Sequence, residues 1–116
     1  MEFEVFTGKS APISKEPMVT IQKTGAFSLN RLAHEAFGRP RSVELMYDRA
    51  KRVVAMRPSN KQHSYAVRAQ SKRAGTRMQV SGAAFTKHFG IDTTASRRYV
   101  PQYEDGMLLL DLNDPR

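Results

Sequence analysis

Cysteine is absent from the 116-residue chain, and so is tryptophan. Without cysteine there can be no disulfide framework, thiolate zinc site or thiol nucleophile. No run approaches the ~18 apolar residues of a membrane helix, so no membrane partner is expected. The opening MEFEVF has neither the positive n-region nor the apolar h-region of a secretory signal, and a cytoplasmic location is the expectation. Acidic side chains are few: 11 Asp and Glu stand against 19 Lys and Arg, for a formal net charge of +8.

Enzyme signatures are missing as well. No G-x-S-x-G, P-loop or Gly-rich dinucleotide sequence occurs, and TGKS at 7–10 lacks the leading glycine of a Walker sequence, so it reads as a turn. His34 and Glu35 are adjacent and diverge by about 100° on a helix, a poor arrangement for a base and its orienter. His63 sits in a polar loop and His88 flanks a short helix. Without a ligand-spaced carboxylate, the three histidines point to no metal. The expectation is a protein that is not an enzyme and uses no cofactor.

A 40% hydrophobic content, spread along the chain, is enough for one folded domain of this length. The positive charge is not spread evenly. Residues 1–56 carry +3, residues 57–98 carry +8 and residues 99–116 carry −3. A basic middle segment of that kind attracts phosphates through counterion release.

Period and punctuation divide the chain. Residues 1–17 read as an arm broken by Gly8, Pro12 and Pro17, with a short strand at Phe3–Phe6. MVTIQK alternates as a strand. Leu29, Leu32, Ala33, Ala36 and Phe37 then share one helical face, with Ser28 as the expected N-cap and Gly38 as the stop. SVELMY and RVVAMRP form a hairpin through DRAK. After the loop SNKQHS and the strand YAVRA comes the basic segment QSKRAGTR. A similar unit follows: the strand MQV, Ser81 as cap, a helix with Phe85, His88 and Phe89 on one side, Gly90 as stop, and a hairpin turning at Asp105-Gly106. The apolar LLL at 108–110 reads as a buried strand. Phe27, Phe37, Phe85 and Phe89 read as core, with Leu32 beside them. The expected fold is mixed α/β (α+β): antiparallel strands in a swapped-hairpin or barrel-like core with two short helices. A single domain over 18–116 would hold two pseudo-repeats, 18–58 and 78–112, joined by the basic segment and related by an internal pseudo-two-fold.

Gly25 and Gly38 at their separation, the alternating Phe27 and Leu29, Phe37 before the second glycine, and the hairpin of Val43–Leu45 and Val53–Met56 closed by Arg57-Pro58 carry a resemblance. Over residues 19–58 the chain resembles the swapped-hairpin, SpoVT/AbrB-like module of bacterial transcriptional regulators, whose relatives include tandem MraZ-type proteins. The resemblance implies interleaved hairpins, in a pseudo-dimeric monomer or a homodimer, and duplex DNA as partner. The chain departs from the family at its arginine positions, which are Val19, Ala26 and His34-Glu35 here, and at its proline position, here Asn30.

Two functions follow. The first is a DNA-binding transcriptional regulator or architectural protein, with Lys23, Arg31, Arg68, Lys72, Arg73, Arg77, Lys87, Arg97 and Arg98 as its contacts, and Arg39 and Arg41 as further phosphate ligands. The alternative is a protein-interaction module that keeps the scaffold without the family's DNA-reading arginines. Period-2 alternation would place Tyr99 and Tyr103 on one strand face, either as core-rim packing or as a base-stacking platform for single strands.

Overall fold

Alternating segments of three to seven residues, interrupted by turn formers, produce many short strands and little helix. The computed structural model describes residues 16–71 and 77–116. Residues 1–15 of the expected arm at 1–17, with its strand at Phe3–Phe6, and the basic-segment residues Lys72 and Arg73 lie outside the described residues. The elements in order are β1 Val19–Ile21, β2 Phe27–Leu29, α1 Arg31–Ala36, β3 Ser42–Asp48, β4 Val53–Pro58 and β5 Tyr65–Ala69, followed by β6 Met78–Val80, α2 Ala83–His88, β7 Arg97–Tyr99, β8 Gln102–Glu104 and β9 Met107–Asp111. Every strand pairing is antiparallel. The sheet runs β7-β1-β2-β6-β5-β3-β4-β9-β8, a curled half-barrel with two short helices. Its first and last strands, β7 and β8, are consecutive in the chain and separated only by Val100 and Pro101, so the sheet has to curl to bring them together.

Alternation along the strands sends one set of side chains into a shared core. Val19, Phe27, Leu29 and Val80 from one half of the sheet meet Val43, Val54, Met56, Leu108 and Leu110 from the other, all fully buried or nearly so. Phe85 closes the cluster from α2, with ring centroids 6.1 Å from Phe27 and 5.0 Å from Phe89. Phe37 and Tyr99 are also buried, whereas Leu32 and Phe89 are only half-buried.

The helices are shorter than their apolar periodicity predicts. Leu29 belongs to β2, and the N-cap is Asn30 in place of Ser28. Asn30 Oδ1 accepts from the Ala33 amide (2.8 Å) and the Met18 amide (3.0 Å), while Nδ2 donates to the Glu16 carbonyl (2.9 Å). One side chain therefore starts α1 and ties it to the entry of β1. Ser28 cannot cap because Leu29 after it is still paired on both edges, with Val19 of β1 and Met78 of β6, so the helix cannot start until Asn30. At α2 the cap position is Gly82 in place of Ser81, and no side chain caps it. Gly38 and Gly90 end the two helices at φ 88° and 65°, as their sequence positions predict. His34 Nε2 lies 3.2 Å from the Pro40 carbonyl, so this histidine fastens the helix exit.

Asp105 and Gly106, both at positive φ, form a two-residue turn between β8 and β9, the type I′ geometry their sequence predicts. The strand before this turn is not continuous. Val100-Pro101 divides it, because proline cannot donate to a ladder. Tyr99 is buried in the core, while Tyr103 is 40% exposed and donates its hydroxyl to the Ala33 carbonyl (3.3 Å). The two tyrosines form no common platform.

Candidate nucleic-acid interface

Residues paired directly across an antiparallel ladder share a face. In the five-stranded half of the sheet the registers chain together as Arg98 on β7, Thr20 on β1, Ser28 on β2, Gln79 on β6 and Arg68 on β5. All five point away from the core, since their neighbours Val19, Phe27, Leu29, Val80 and Tyr99 point into it. Arg77 sits two residues before Gln79, and its carbonyl accepts from the Gln70 amide (2.8 Å), so the ladder runs on and Arg77 joins the same outer face. Lys23 is exposed in the turn that links β1 to β2.

The centre of this face is polar. Gln79 Nε2 donates to Gln22 Oε1 at 3.3 Å. Because β1 and β6 flank β2 on its two sides, this bond passes over β2 and covers Ser28 and Ala26. Ser28 is accordingly buried, and its hydroxyl oxygen has no hydrogen-bond partner among the described residues.

Charge separates between the two halves of the sheet. Strands β7, β1, β2, β6 and β5 hold Arg68, Arg97 and Arg98 and no carboxylate, whereas β3, β4, β9 and β8 hold Glu44, Asp48, Asp111 and Glu104 against Arg57 alone. Strand order produces this separation, because β6 and β7 join β2 and β1 from a distant part of the chain.

Some of the expected contacts fall elsewhere. Arg97 alternates to the opposite face from Arg98 and binds Asp92, with Nη2 3.3 Å from Oδ2 and Nη1 3.2 Å from the backbone carbonyl. Hydrogen bonds from the Thr94 hydroxyl and amide, helped by the Arg97 charge, hold the Asp92 carboxyl below the ordinary aspartate range. Arg31 and Arg39 both approach Glu35, at 3.8 and 3.1 Å, in exposed pairs. Lys87 is exposed in the last turn of α2, and Arg41 is exposed ahead of β3. Lys23, Arg68, Arg77 and Arg98 remain grouped.

The sequence reading missed one cluster altogether. Glu44 on β3 faces Arg57 across the β3–β4 ladder, with Oε1 2.9 Å from Arg57 Nη2, and its Oε2 lies 2.5 Å from His63 Nε2 in the following loop. His63 first and Arg57 second hold the Glu44 carboxyl at about 2, well below its usual range. The Ser64 hydroxyl donates to Ser59 Oγ (2.9 Å), and the Ser42 hydroxyl donates to the Ser59 carbonyl. The cluster locks the β4–β5 loop onto β3. The 13- and 19-residue separations from Glu44 to Arg57 and His63 carry no recognisable motif, and only the hairpin register brings the three together.

Among the described residues, no three His, Cys, Asp or Glu side chains gather as metal ligands, and no helix is long and apolar enough to cross a membrane. Searches against family models, curated proteins and solved structures return no match.

Proposed function

We propose that the protein binds duplex DNA through the outer face of β7-β1-β2-β6-β5. The observation that carries this reading is the separation of charge: the half-sheet bearing Arg68, Arg77 and Arg98 has no carboxylate in its strands. Four inter-strand steps separate Arg98 from Arg68, about 19 Å along the sheet at ~4.8 Å per step. A major groove is about 12 Å wide, so two long side chains leaning inwards reach the sugar–phosphate rims on its two sides. Gln22, Gln79 and Thr20, between them, face the base edges. A glutamine amide can donate and accept together, which suits adenine. The arginines then position the protein, and the central amides carry whatever sequence preference it has.

The resemblance to swapped-hairpin regulators and the internal pseudo-two-fold belong to the same reading. The order of pairing supports them. With the second unit taken to start at β5 and not at residue 78, so that the basic segment falls inside it, β1 and β2 pair as β5 and β6 do, β3 and β4 as β8 and β9 do, and β3 joins β5 as β7 joins β1. On this reading the axis passes between Ser28 and Gln79 at one side and between Ala55 and Leu109 at the other. Each unit's terminal hairpin pairs with strands of the other unit, which is the exchange that defines a swapped hairpin.

A salt series of duplex-binding isotherms tests the proposal. Wild-type affinity should fall with salt at a slope of about −0.9 per neutralised phosphate. Arg68→Glu with Arg98→Glu should weaken binding to every duplex and flatten that slope, while Lys87→Glu and Arg31→Glu should change little. Equal losses from both sets, or no duplex binding at low salt, would reject the face and leave the protein-interaction module as the function.

A further inference from the structure

A buried hydroxyl without a partner costs stability, because the hydrogen bonds it made to water are lost and none replaces them. Ser28 holds such a hydroxyl. The residue is 1% exposed in the middle of β2, and its Oγ has no hydrogen-bond partner among the described residues. Burial alone gives no reason for serine here, since alanine fills almost the same space and leaves no polar atom unpaired. What covers Ser28 on the outer face is the bridge from Gln79 Nε2 to Gln22 Oε1, 3.3 Å long and made by two half-buried side chains. A neutral bond of that length between flexible side chains holds weakly and exchanges readily for bonds to water or a ligand. The orphan hydroxyl therefore lies beneath a cover that can open.

We infer, resting on the duplex-binding reading above, that Ser28 positions Gln79 for base recognition. Gln79 faces Ser28 directly across the β2–β6 ladder, which sets their Cβ atoms about 5 Å apart. In the free protein the Gln79 amide is turned across β2 to Gln22. A duplex parts that bridge, and the amide swings outwards to an adenine edge, Nε2 donating to N7 and Oε1 accepting from N6. An amide oxygen accepts two hydrogen bonds. The second comes from Ser28, whose hydroxyl donates to Gln79 Oε1 and so fixes which way the amide is flipped. The reversed amide would set donor against donor at N6 and acceptor against acceptor at N7. Ser28 is thus a positioning residue, satisfied only in the complex. Gln22 has no such neighbour, because the ladder sets it opposite Ala26, whose carbonyl accepts from the Gln22 amide (2.9 Å).

Binding isotherms of the full chain on A·T-rich and G·C-rich duplexes, with a thermal melt of each variant, test this. The wild type should prefer the A·T-rich duplex by about tenfold. Ser28→Ala should melt no lower than the wild type, keep its salt slope because no phosphate contact is lost, and lose most of that preference. Gln79→Ala should lose the preference too, and Ser28→Ala should add nothing in the Gln79→Ala background. If the wild type binds no duplex, or Arg68→Glu with Arg98→Glu leaves binding intact, the duplex reading fails and Ser28 loses its role with it. Where those arginines matter, three results overturn the role of Ser28 alone: a wild type without A·T preference, a Ser28→Ala variant that keeps it, or effects of the two variants that add. A lower melt for Ser28→Ala, with equal affinity losses on both duplexes, also overturns it, since the serine is then structural.

Discussion

Gly25 shows how much a single residue settles here. It holds φ at +86°, and an added Cβ would stand 2.7 Å from Ala83 Cα and 2.6 Å from Thr86 Oγ1. Neither the backbone angle nor the close approach of α2 to the β1–β2 turn tolerates a side chain. Gly25→Ala should cost about 1–3 kcal/mol in urea unfolding, and an unchanged midpoint would show that the turn and α2 are not packed this way. Glu44 makes a different kind of test. Its carboxyl titrates at about 2 in the folded chain because His63 and Arg57 hold the charged form, against 4.5 for the free group. An acid with a depressed folded pKa stabilises fully above its unfolded value, and that contribution is lost as pH falls through the folded one. Stability should therefore decline between about pH 4.5 and 2 in part through Glu44. Glu44→Gln should flatten that limb in denaturant midpoints measured across the range, and an unaltered limb would contradict the pairing.

At the scale of elements, both helices are too short to persist alone in water. Each six-residue helix depends on its ends and on the sheet beneath it. Those ends differ. Asn30 makes three side-chain hydrogen bonds that join α1 to β1, whereas α2 begins at Gly82 with none and relies on Phe85 in the core. Asn30→Ala should cost about 2 kcal/mol, more than a simple cap, because the Ala33 amide in α1 and the backbone groups of Glu16 and Met18 ahead of β1 lose their partner together. Thermal melts of that variant beside Ser81→Ala, which removes no cap and should change little, check the assignment. Most of the elements were legible in the chain. YAVRA, MQV and the Asp105-Gly106 turn stand where alternation and turn chemistry place them, while the first hairpin turns one residue later than DRAK, at 49–52, with Asp48 still paired to Val53. The caps and the break at Val100-Pro101 were less legible. Ser28 and Asn30 are both good capping residues, and only the pairing of β2 on both edges decides between them.

For the whole molecule, the excess of positive charge and its middle position follow from counting residues. Its grouping does not. Arg68, Arg77 and Arg98 share one face because β7 on one side and β6 with β5 on the other flank the β1–β2 pair, an arrangement set by long-range ladders. The same ladders turn Arg97 towards Asp92 and put the Gln22–Gln79 bridge over Ser28. They also bring Glu44, Arg57 and His63 into one cluster. By itself the sequence determined the strand-rich character, the two short helices with their glycine stops, the tight turn at Asp105-Gly106 and the absence of thiol chemistry, because each depends on residues within a few positions of one another. Tertiary structure alone decided which face of each strand became polar surface and which side chains meet there. That outcome rests on register, and register is fixed by burying Val19, Phe27, Leu29, Val80, Val54, Met56, Leu108 and Leu110 together from both ends of the chain.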